Sequence, residues 1–208
     1  MIWKEVDIVS WMDKTNEKIQ ANKSELTILD RNIGDGDHGI NMSRGFQKIV
    51  DQLQETNYSS VSAVLKDVAM LMIRHIGGAS GPLYGTAFLR LSLATENIQT
   101  IDTTTLAKGF HAATAGIKQR GKAKSGEKTL IDVWSPVTKY MNDTEEINPT
   151  KLVQVAELAM ENTEDMLAKK GRAAYLKERS IGHIDPGAMS SYLLFQSLAE
   201  VLEGGSTT

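Results

Sequence analysis

The stretch DRNIGDGDHG at residues 30–39 places Asp30, Asp35 and Asp37 within eight positions of one another. Carboxylates at this spacing repel one another, and glycine adds backbone entropy that folding must remove. A bound cation would offset the repulsion, and the all-oxygen donor set suits Mg²⁺, Mn²⁺ or Ca²⁺ better than zinc. The spacing does not fit an EF-hand. An aspartate cluster at a helix start is the alternative, but three acids favour a metal site.

The composition is that of a single globular domain, residues 1–208. The chain is 41% hydrophobic and 24% charged, carries a net charge of −3 and has no cysteine. The lack of cysteine excludes disulfides and thiolate metal sites and fits a cytoplasmic protein. The net charge gives no indication of a nucleic-acid surface. The sequence has no signal peptide, and no apolar run reaches the roughly 18 residues of a membrane span.

Apolar residues recur with the period of an α-helix along almost the whole chain. Within residues 46–53, for example, they fall at positions i, i+3, i+4 and i+7. Asn148 and Asp185 each precede a proline, which is typical of an N-cap and a first helical turn. No stretch alternates with a period of two, so we expect no sheet. The predicted helices are 3–22, 38–54, 61–76, 82–98, 103–119, 128–142, 149–169 and 186–203, with a short extra turn near 24–31.

The connections between these helices are of two kinds, which alternate along the chain. The second, fourth and sixth are polar and lack glycine: ETNYSS, NIQTID and NDTEEIN. The first, third, fifth and seventh are rich in glycine and polar side chains: DRNIGDGDHG, GGASGP, RGKAKSGEKT and KGRAAYLKERSIGHIDPG. Successive connections of an up-and-down bundle lie at opposite ends. We therefore predict an all-α, eight-helix antiparallel barrel or bundle with a binding site at one end. Glycines acting only as C-caps would not explain the alternation.

The glycine-rich connections also contain candidate phosphate contacts. GGASG at 77–81 opens a helix, and backbone N–H groups at a helix N-terminus bind anions. Arg179 in the seventh connection could neutralise phosphate oxygens. His38 could contact a phosphate or cap its helix, and Asp185 could face a ligand or act only as an N-cap. Neither a P-loop nor a protein-kinase glycine loop is present.

Four segments together resemble the ADP-binding L subunits of bacterial dihydroxyacetone kinases. They are LDRNIGDGDHGINMSRGF, GGASGPLYGTAFLR, RGKAKSGEKTLIDVWSPV and GRAAYLKERSIGHIDPGAMS, and the resemblance spans about residues 5–203. It implies an eight-helix barrel with a nucleotide closing one end. It also implies that Asp30, Asp35 and Asp37 bind two Mg²⁺ ions. The nucleotide contacts that it implies are His38, Gly39, Asn41, Gly78, Ala79, Ser80, Gly121, Thr129, Leu130, Arg179, Asp185 and Gly187.

The resemblance further implies a division of labour between subunits. A free-standing L subunit resembles the phosphoenolpyruvate-dependent system, in which ADP stays bound as a cofactor. A phosphohistidine on an M subunit of the phosphotransferase system would convert the ADP to ATP. The γ-phosphoryl would then pass to dihydroxyacetone on a K subunit, and a homodimer is expected. The chain itself shows no evident nucleophile, and phosphoryl transfer does not need one.

Two other functions are compatible with the same residues. The chain could be a nucleotide-sensing module that docks on another protein and transfers nothing. It could also be the L-type subunit of an ATP-dependent kinase, such as one that acts on a carrier-bound fatty acid. Transfer of labelled phosphoryl to dihydroxyacetone separates the three.

Overall fold

The computed structural model describes residues 2–205, in which helices predominate. The α-helices are α1 Glu5–Ala21, α2 Lys23–Ile33, α3 His38–Gln54, α4 Val61–His75, α5 Ser80–Thr95, α6 Thr103–Gly121, α7 Ile131–Asp143, α8 Pro149–Glu161 and α9 Pro186–Gly205. A 3-10 helix spans Arg172–Ser180, and two short strands are β1 Ile2–Trp3 and β2 Ile101–Asp102. None of the described helices combines the length and apolar character that a membrane crossing requires.

Eight of the helices form a closed ring. Helix α1 packs against α3, each helix from α3 to α8 packs against the next one along the chain, and α9 returns to α1. At this closing contact, Trp11 Nε1 donates to the carbonyl of Leu194 at 2.9 Å, and Lys18 pairs with Glu200 at 2.6 Å. Helix α2 lies outside the ring, against α3 and the 3-10 helix. The predicted eight-helix barrel is therefore confirmed, and α2 takes the place of the predicted extra turn.

Aromatic side chains fill the interior of the ring. Contacting ring pairs have centroids between 5.0 Å (Trp134–Phe195) and 6.4 Å (Tyr84–Trp134) apart. Such tilted and edge-on arrangements suit the charge distribution of aromatic rings. The rings come from α1, α5, α6, α7 and α9, and are those of Trp11, Tyr84, Phe88, Phe110, Trp134 and Phe195. This packed core fixes the helices relative to one another, and with them the loops at each end.

The structure corrects two local predictions. The expectation of no sheet was wrong in one detail, because β1 and β2 pair antiparallel, with Ile2 opposite Asp102. Strands of two residues are too short to show an alternating pattern. The seventh predicted helix, 149–169, was too long, since α8 ends at Glu161. The residues that follow form turns and the 3-10 helix instead, because their carbonyls bind the side chain of Lys128 rather than extending a helix.

Candidate functional site

The four glycine-rich connections meet around one cavity of about 450 Å³. They join α2 to α3, α4 to α5, α6 to α7, and α8 to α9. The prediction that they share one end of the barrel is therefore confirmed. The predicted residues that line this cavity are Asp30, Asp35, Asp37, His38, Asn41, Gly78, Ala79, Ser80, Gly121, Thr129, Leu130, Asp185 and Gly187.

The three aspartates of the first connection form one cluster. Each offers a carboxylate oxygen, and these oxygens all lie within 4.8 Å of one another. Asp30, in the last turn of α2, is buried, and its Oδ2 accepts the backbone N–H groups of Asp37 at 2.8 Å and His38 at 3.0 Å. Asp35 and Asp37 are exposed at the opening of the cavity. A preformed set of close, hard oxygen donors fits a divalent cation such as Mg²⁺.

Arg172 supplies positive charge at the cluster. Its guanidinium lies 2.9 Å from Asp35 Oδ2 and links the 3-10 helix to the first connection. Arg120 and Lys170 also line the cavity. Sequence reasoning missed these three residues, because the glycine-rich connections hold many basic side chains and only the fold selects those that face inward. Together they give the cavity cationic side chains suited to phosphate.

The third connection presents the N-terminus of α5 to the same space. Gly78 adopts a φ of +67°, a left-handed conformation that side chains disfavour. A Cβ at Gly77 would lie 2.6 Å from Asn41 Oδ1, so this loop packs directly on the start of α3. Helix α5 begins at Ser80, where unpaired backbone N–H groups and the helix dipole favour an anion.

His38 sits between the aspartates and this helix N-terminus. The ring is buried, with Nε2 2.9 Å from Ser190 Oγ and Nδ1 3.3 Å from Ser80 Oγ. Burial lowers the pKa of His38, and the nearby carboxylates of Asp30 and Asp37 oppose that shift. His38 is the first residue of α3, directly after the N-cap Asp37, and it lines the cavity. It is therefore not the cap of its helix, and its contact with a phosphate stays a prediction.

The remaining part of the wall is more apolar. A Cβ at Gly121 would lie 3.3 Å from Leu83 Cδ2, and one at Gly187 would lie 3.5 Å from Leu130 Cβ. Gly121 is the last residue of α6, and Leu83 lies in the first turn of α5. Leu130 directly precedes α7, and Gly187 lies in the first turn of α9. The absence of side chains keeps space open beside Leu83 at Gly121, and between Leu130 and the Asp185 carboxylate at Gly187. Ligand pockets commonly pair such a wall with a few convergent polar groups.

Lys128 stabilises the loops around the cavity, and the sequence analysis did not identify it either. Its Nζ is buried and donates to the carbonyls of Thr163, Glu164, Met166 and His183. Burial lowers the pKa of Lys128, and the carboxylates of Asp185 and Glu164 raise it. The ammonium thus ties the α6–α7 connection to the α8–α9 connection. A single lysine in a loop rich in lysine carries no sequence signal for such a role.

Of the two roles considered for Asp185, the N-cap is confirmed and the ligand contact stays a prediction. Its Oδ2 accepts the N–H of Ala188 at 2.8 Å, which caps α9, and the residue lines the cavity. Burial raises the pKa of Asp185 to about 7, and the charge of Asp132 adds to this, whereas the Ala188 hydrogen bond and Lys128 oppose it. The carboxyl therefore holds its proton more strongly than an exposed aspartate does.

We expect Asp185→Asn to stabilise the nucleotide-free protein relative to the wild type, by an amount that increases as the pH rises. Between about pH 4 and 7 the folded state keeps a proton that the unfolded state has lost, so the free energy of unfolding falls with pH. Asparagine removes this titration and can still accept from Ala188. Urea unfolding at pH 5 and pH 8 measures the difference, with exposed Asp51→Asn as the control. If the variant and the wild type differ by the same free energy of unfolding at both pH values, the prediction is contradicted.

The structure does not bring Gly39 and Arg179 to the cavity. Gly39 lies at a close contact between α3 and α2, where a Cβ would be 2.2 Å from the carbonyl oxygen of Lys23. Arg179 is exposed in the 3-10 helix, and Arg172 of the same segment lines the cavity instead. A nucleotide contact by either residue stays a prediction.

We expect Gly39→Ala to destabilise the fold by about 1–3 kcal/mol, because the new methyl group would press on the backbone of α2. Gly204→Ala is the matched control, since a Cβ there would have no atom within 4 Å. Chemical denaturation of both variants measures the effect. Equal midpoints for Gly39→Ala and Gly204→Ala would contradict the packing role of Gly39.

The chain is similar in sequence to several known proteins. The DAK2 domain family matches residues 32–200. The ADP-binding subunit DhaL of PEP-dependent dihydroxyacetone kinase 1 from Listeria innocua is 46% identical over 91% of this chain and 93% of its own length. The corresponding DhaL subunit of the PTS-dependent kinase from Lactococcus lactis is 47% identical over 93% and 96%. That of the PEP-dependent kinase from Escherichia coli is 42% identical over 92% and 94%.

Solved structures show the same fold. The native dihydroxyacetone kinase of C. freundii superposes with a TM-score of 0.76 at 21% identity, covering 93% of this chain and 34% of that one. The same enzyme in complex with AMP-PNP and Mg²⁺ gives a TM-score of 0.73 at 22% identity, covering 92% and 33%. The fold, the family match and the near-full-length relatives agree: the chain belongs to the DAK2-domain family, among the ADP-binding DhaL subunits of dihydroxyacetone kinases.

Proposed function

We propose that this protein is the nucleotide-carrying subunit of a phosphoenolpyruvate-dependent dihydroxyacetone kinase, a phosphotransferase with an alcohol acceptor. The chain carries ADP or ATP with two Mg²⁺ ions and receives a phosphoryl group from a phosphohistidine of an M subunit. It delivers that group to dihydroxyacetone on a K subunit, which gives dihydroxyacetone phosphate. The names of the near-full-length relatives support this assignment.

The observation that carries the proposal is the juxtaposition of a carboxylate cluster and a helix N-terminus in one cavity. Asp30, Asp35 and Asp37 lie at the same end of the barrel as the glycine-rich start of α5. When bound, a Mg²⁺–nucleotide supplies the transferable phosphoryl group and neutralises its charge. The carboxylates suit the cations, and the helix N-terminus suits the phosphates.

The other residues of the cavity orient the nucleotide. His38, Asn41 and the backbone around Ala79 bind phosphate oxygens, and Arg172 neutralises charge at the mouth. The apolar wall at Leu83 covers the nucleoside. No side chain acts as a nucleophile, because in-line positioning and charge stabilisation carry phosphoryl transfer.

Dihydroxyacetone binds elsewhere in this scheme. Capture of a ketone requires a nucleophilic histidine or lysine in a shielded pocket. Among the described residues, His38 is the only histidine that lines the cavity. The proposal assigns it to a phosphate oxygen. The buried amine of Lys128 is occupied by backbone carbonyls. The K subunit therefore supplies the ketone site. A homodimer, expected from the family resemblance, and a cytoplasmic location, expected from the lack of cysteine, also belong to the proposal.

Analysis of the nucleotide that remains after purification tests the proposal. Four connections surround the cavity, so several contacts must open before a ligand leaves and dissociation should be slow. We expect near-stoichiometric ADP or ATP when the purified protein is heat-denatured and the supernatant is separated by anion exchange. A site that is empty and exchanges ATP within seconds would contradict a resident cofactor and favour the ATP-dependent alternative.

A further inference from the structure

A chain of buried polar side chains runs from the core of the barrel to the cavity. Trp134 Nε1 donates to Ser191 Oγ at 3.0 Å, and Ser191 Oγ lies 2.7 Å from the hydroxyl of Tyr84. The Tyr84 hydroxyl lies 2.8 Å from Ser190 Oγ, which is 2.9 Å from His38 Nε2. All five residues are buried. Under the function proposed above, the nucleotide is not bound by the first four residues, Trp134, Ser191, Tyr84 and Ser190. Their hydrogen bonds therefore serve a different role.

The direction of the first two hydrogen bonds follows from the available donors. An indole N–H can only donate, so Ser191 Oγ accepts from Trp134. Within the described residues, the other hydrogen-bond partner of Ser191 Oγ is the hydroxyl of Tyr84. If Ser191 also accepted from Tyr84, its own buried proton would have no acceptor, at a cost of about 1–3 kcal/mol. Ser191 therefore donates to Tyr84.

The next two bonds continue in the same direction. The Tyr84 proton has two acceptors in reach, Ser190 Oγ at 2.8 Å and the carbonyl of Gly187 at 3.2 Å. The Ser190 proton likewise has His38 Nε2 at 2.9 Å or the same carbonyl at 3.2 Å. In each case the shorter contact is the better hydrogen bond, since the Gly187 carbonyl lies 3.2 Å from both hydroxyls. Tyr84 thus donates to Ser190, and Ser190 donates to His38.

We propose that the chain Trp134–Ser191–Tyr84–Ser190 positions His38 with Nε2 as an acceptor, so that Nδ1 carries the proton and presents it to the phosphate end of the cavity. Nδ1 lies 3.3 Å from Ser80 Oγ, at the N-terminus of α5. The backbone N–H of His38 is held by Asp30 Oδ2. Both the ring and the backbone of this residue are therefore oriented. The identity of the anion, a nucleotide phosphate, rests on the function proposed above. The direction of the hydrogen bonds does not depend on that function.

The tautomer of His38 is measurable by nitrogen-15 NMR of histidine-labelled protein at about pH 8, where an ordinary imidazole is neutral. We expect a pyrrole-type shift at Nδ1 and a pyridine-type shift at Nε2. Exposed histidines prefer the opposite tautomer. The other three histidines, His75, His111 and His183, provide internal references. A protonated Nε2 at His38 in the wild-type protein would overturn the proposal without any variant.

Two variants test whether the chain sets this tautomer. Tyr84→Phe removes one hydroxyl from the middle of the chain, and Ser190→Ala removes the direct partner of His38. We expect both to shift His38 toward a mixture of tautomers and to weaken Mg²⁺–ADP binding about tenfold, since a hydrogen bond to a charged group is lost or misdirected. Ser197→Ala is the matched control. Ser197 is equally buried on α9, but its hydroxyl donates to the Leu193 carbonyl and takes no part in this series of hydrogen bonds.

The readouts separate this proposal from the assigned function. An unchanged Nδ1–H tautomer in both Tyr84→Phe and Ser190→Ala would overturn the positioning role. An equal loss of ADP affinity in Ser197→Ala would also overturn it, because the effect would then reflect general packing of α9. The expected tautomer in a protein that binds no ADP would overturn the proposed function while supporting the hydrogen-bond chain.

Discussion

Replacing Asp37 by alanine is expected to abolish turnover of dihydroxyacetone in the kinase reconstituted with its K and M subunits and the phosphoenolpyruvate-fed donors. The substitution removes one of three clustered carboxylates. It leaves the Asp37 backbone N–H that holds Asp30 in place. Loss of an outer partner of a metal site already costs about 10–100-fold. We therefore expect a fall of at least about 100-fold, measured as the rate of dihydroxyacetone phosphate formation.

Asp51→Ala is the control for this experiment. Asp51 lies on α3, the helix that begins directly after Asp37, but it is exposed. Its ion pair with Lys48 is long, at 3.8 Å. The variant should retain full activity. Wild-type rates in Asp37→Ala would show that the cluster does not hold a metal needed for transfer. Multiple turnover from free ATP by the wild-type chain and K alone would overturn the requirement for M.

Removal of both nucleotide and divalent cations is expected to lower the melting temperature of the protein markedly, and Mg²⁺–ADP should restore it. A ligand that binds only the folded state at a thousandfold excess over its Kd stabilises that state by about 4 kcal/mol. For a chain of this size, that corresponds to roughly 10 °C. The clustered carboxylates also repel one another when no cation is bound. Differential scanning calorimetry with EDTA, then with added Mg²⁺–ADP, measures both changes.

A pair of variants locates this effect. Asp35→Asn removes one carboxylate of the cluster and should reduce the stabilisation by Mg²⁺–ADP. Asp102→Asn lies at the other end of the barrel, and asparagine there can still accept the N–H of Thr105 as aspartate does at 2.7 Å. It should respond to the ligand like wild type. The same melting temperature with and without nucleotide and metal would mean that the cluster only caps a helix.

Much of the barrel was predictable because its helices are amphipathic and its connections alternate. The second predicted helix, 38–54, is observed as α3 at His38–Gln54, since a regular apolar stripe marks a helix that packs on one side. Helix α8 shows where this reasoning fails. The predicted helix continued past Glu161 to residue 169, but Lys128 binds the carbonyls of Thr163 and Met166 and holds that segment in turns.

The candidate site was predictable where several unusual residues lie close together in sequence. Asp30, Asp35 and Asp37 form a cluster in the structure as their spacing indicated, because a short loop cannot move them far apart. Gly39 belongs to the same stretch, yet it serves helix packing. Local composition therefore identified the loop but not the direction in which each residue faces.

The sequence by itself determined the helices, the end of the barrel that binds a ligand and the acidic cluster, because each depends on residues near one another along the chain. Tertiary structure alone decided which basic side chains reach the cavity and which buried groups orient it. Arg172 rather than Arg179 lines the cavity, although both side chains are exposed, because the fold places the start of the 3-10 helix, and not its end, beside Asp35. The contact between Ser190 and His38 joins residues 152 positions apart, and only closure of the helical ring brings such residues together.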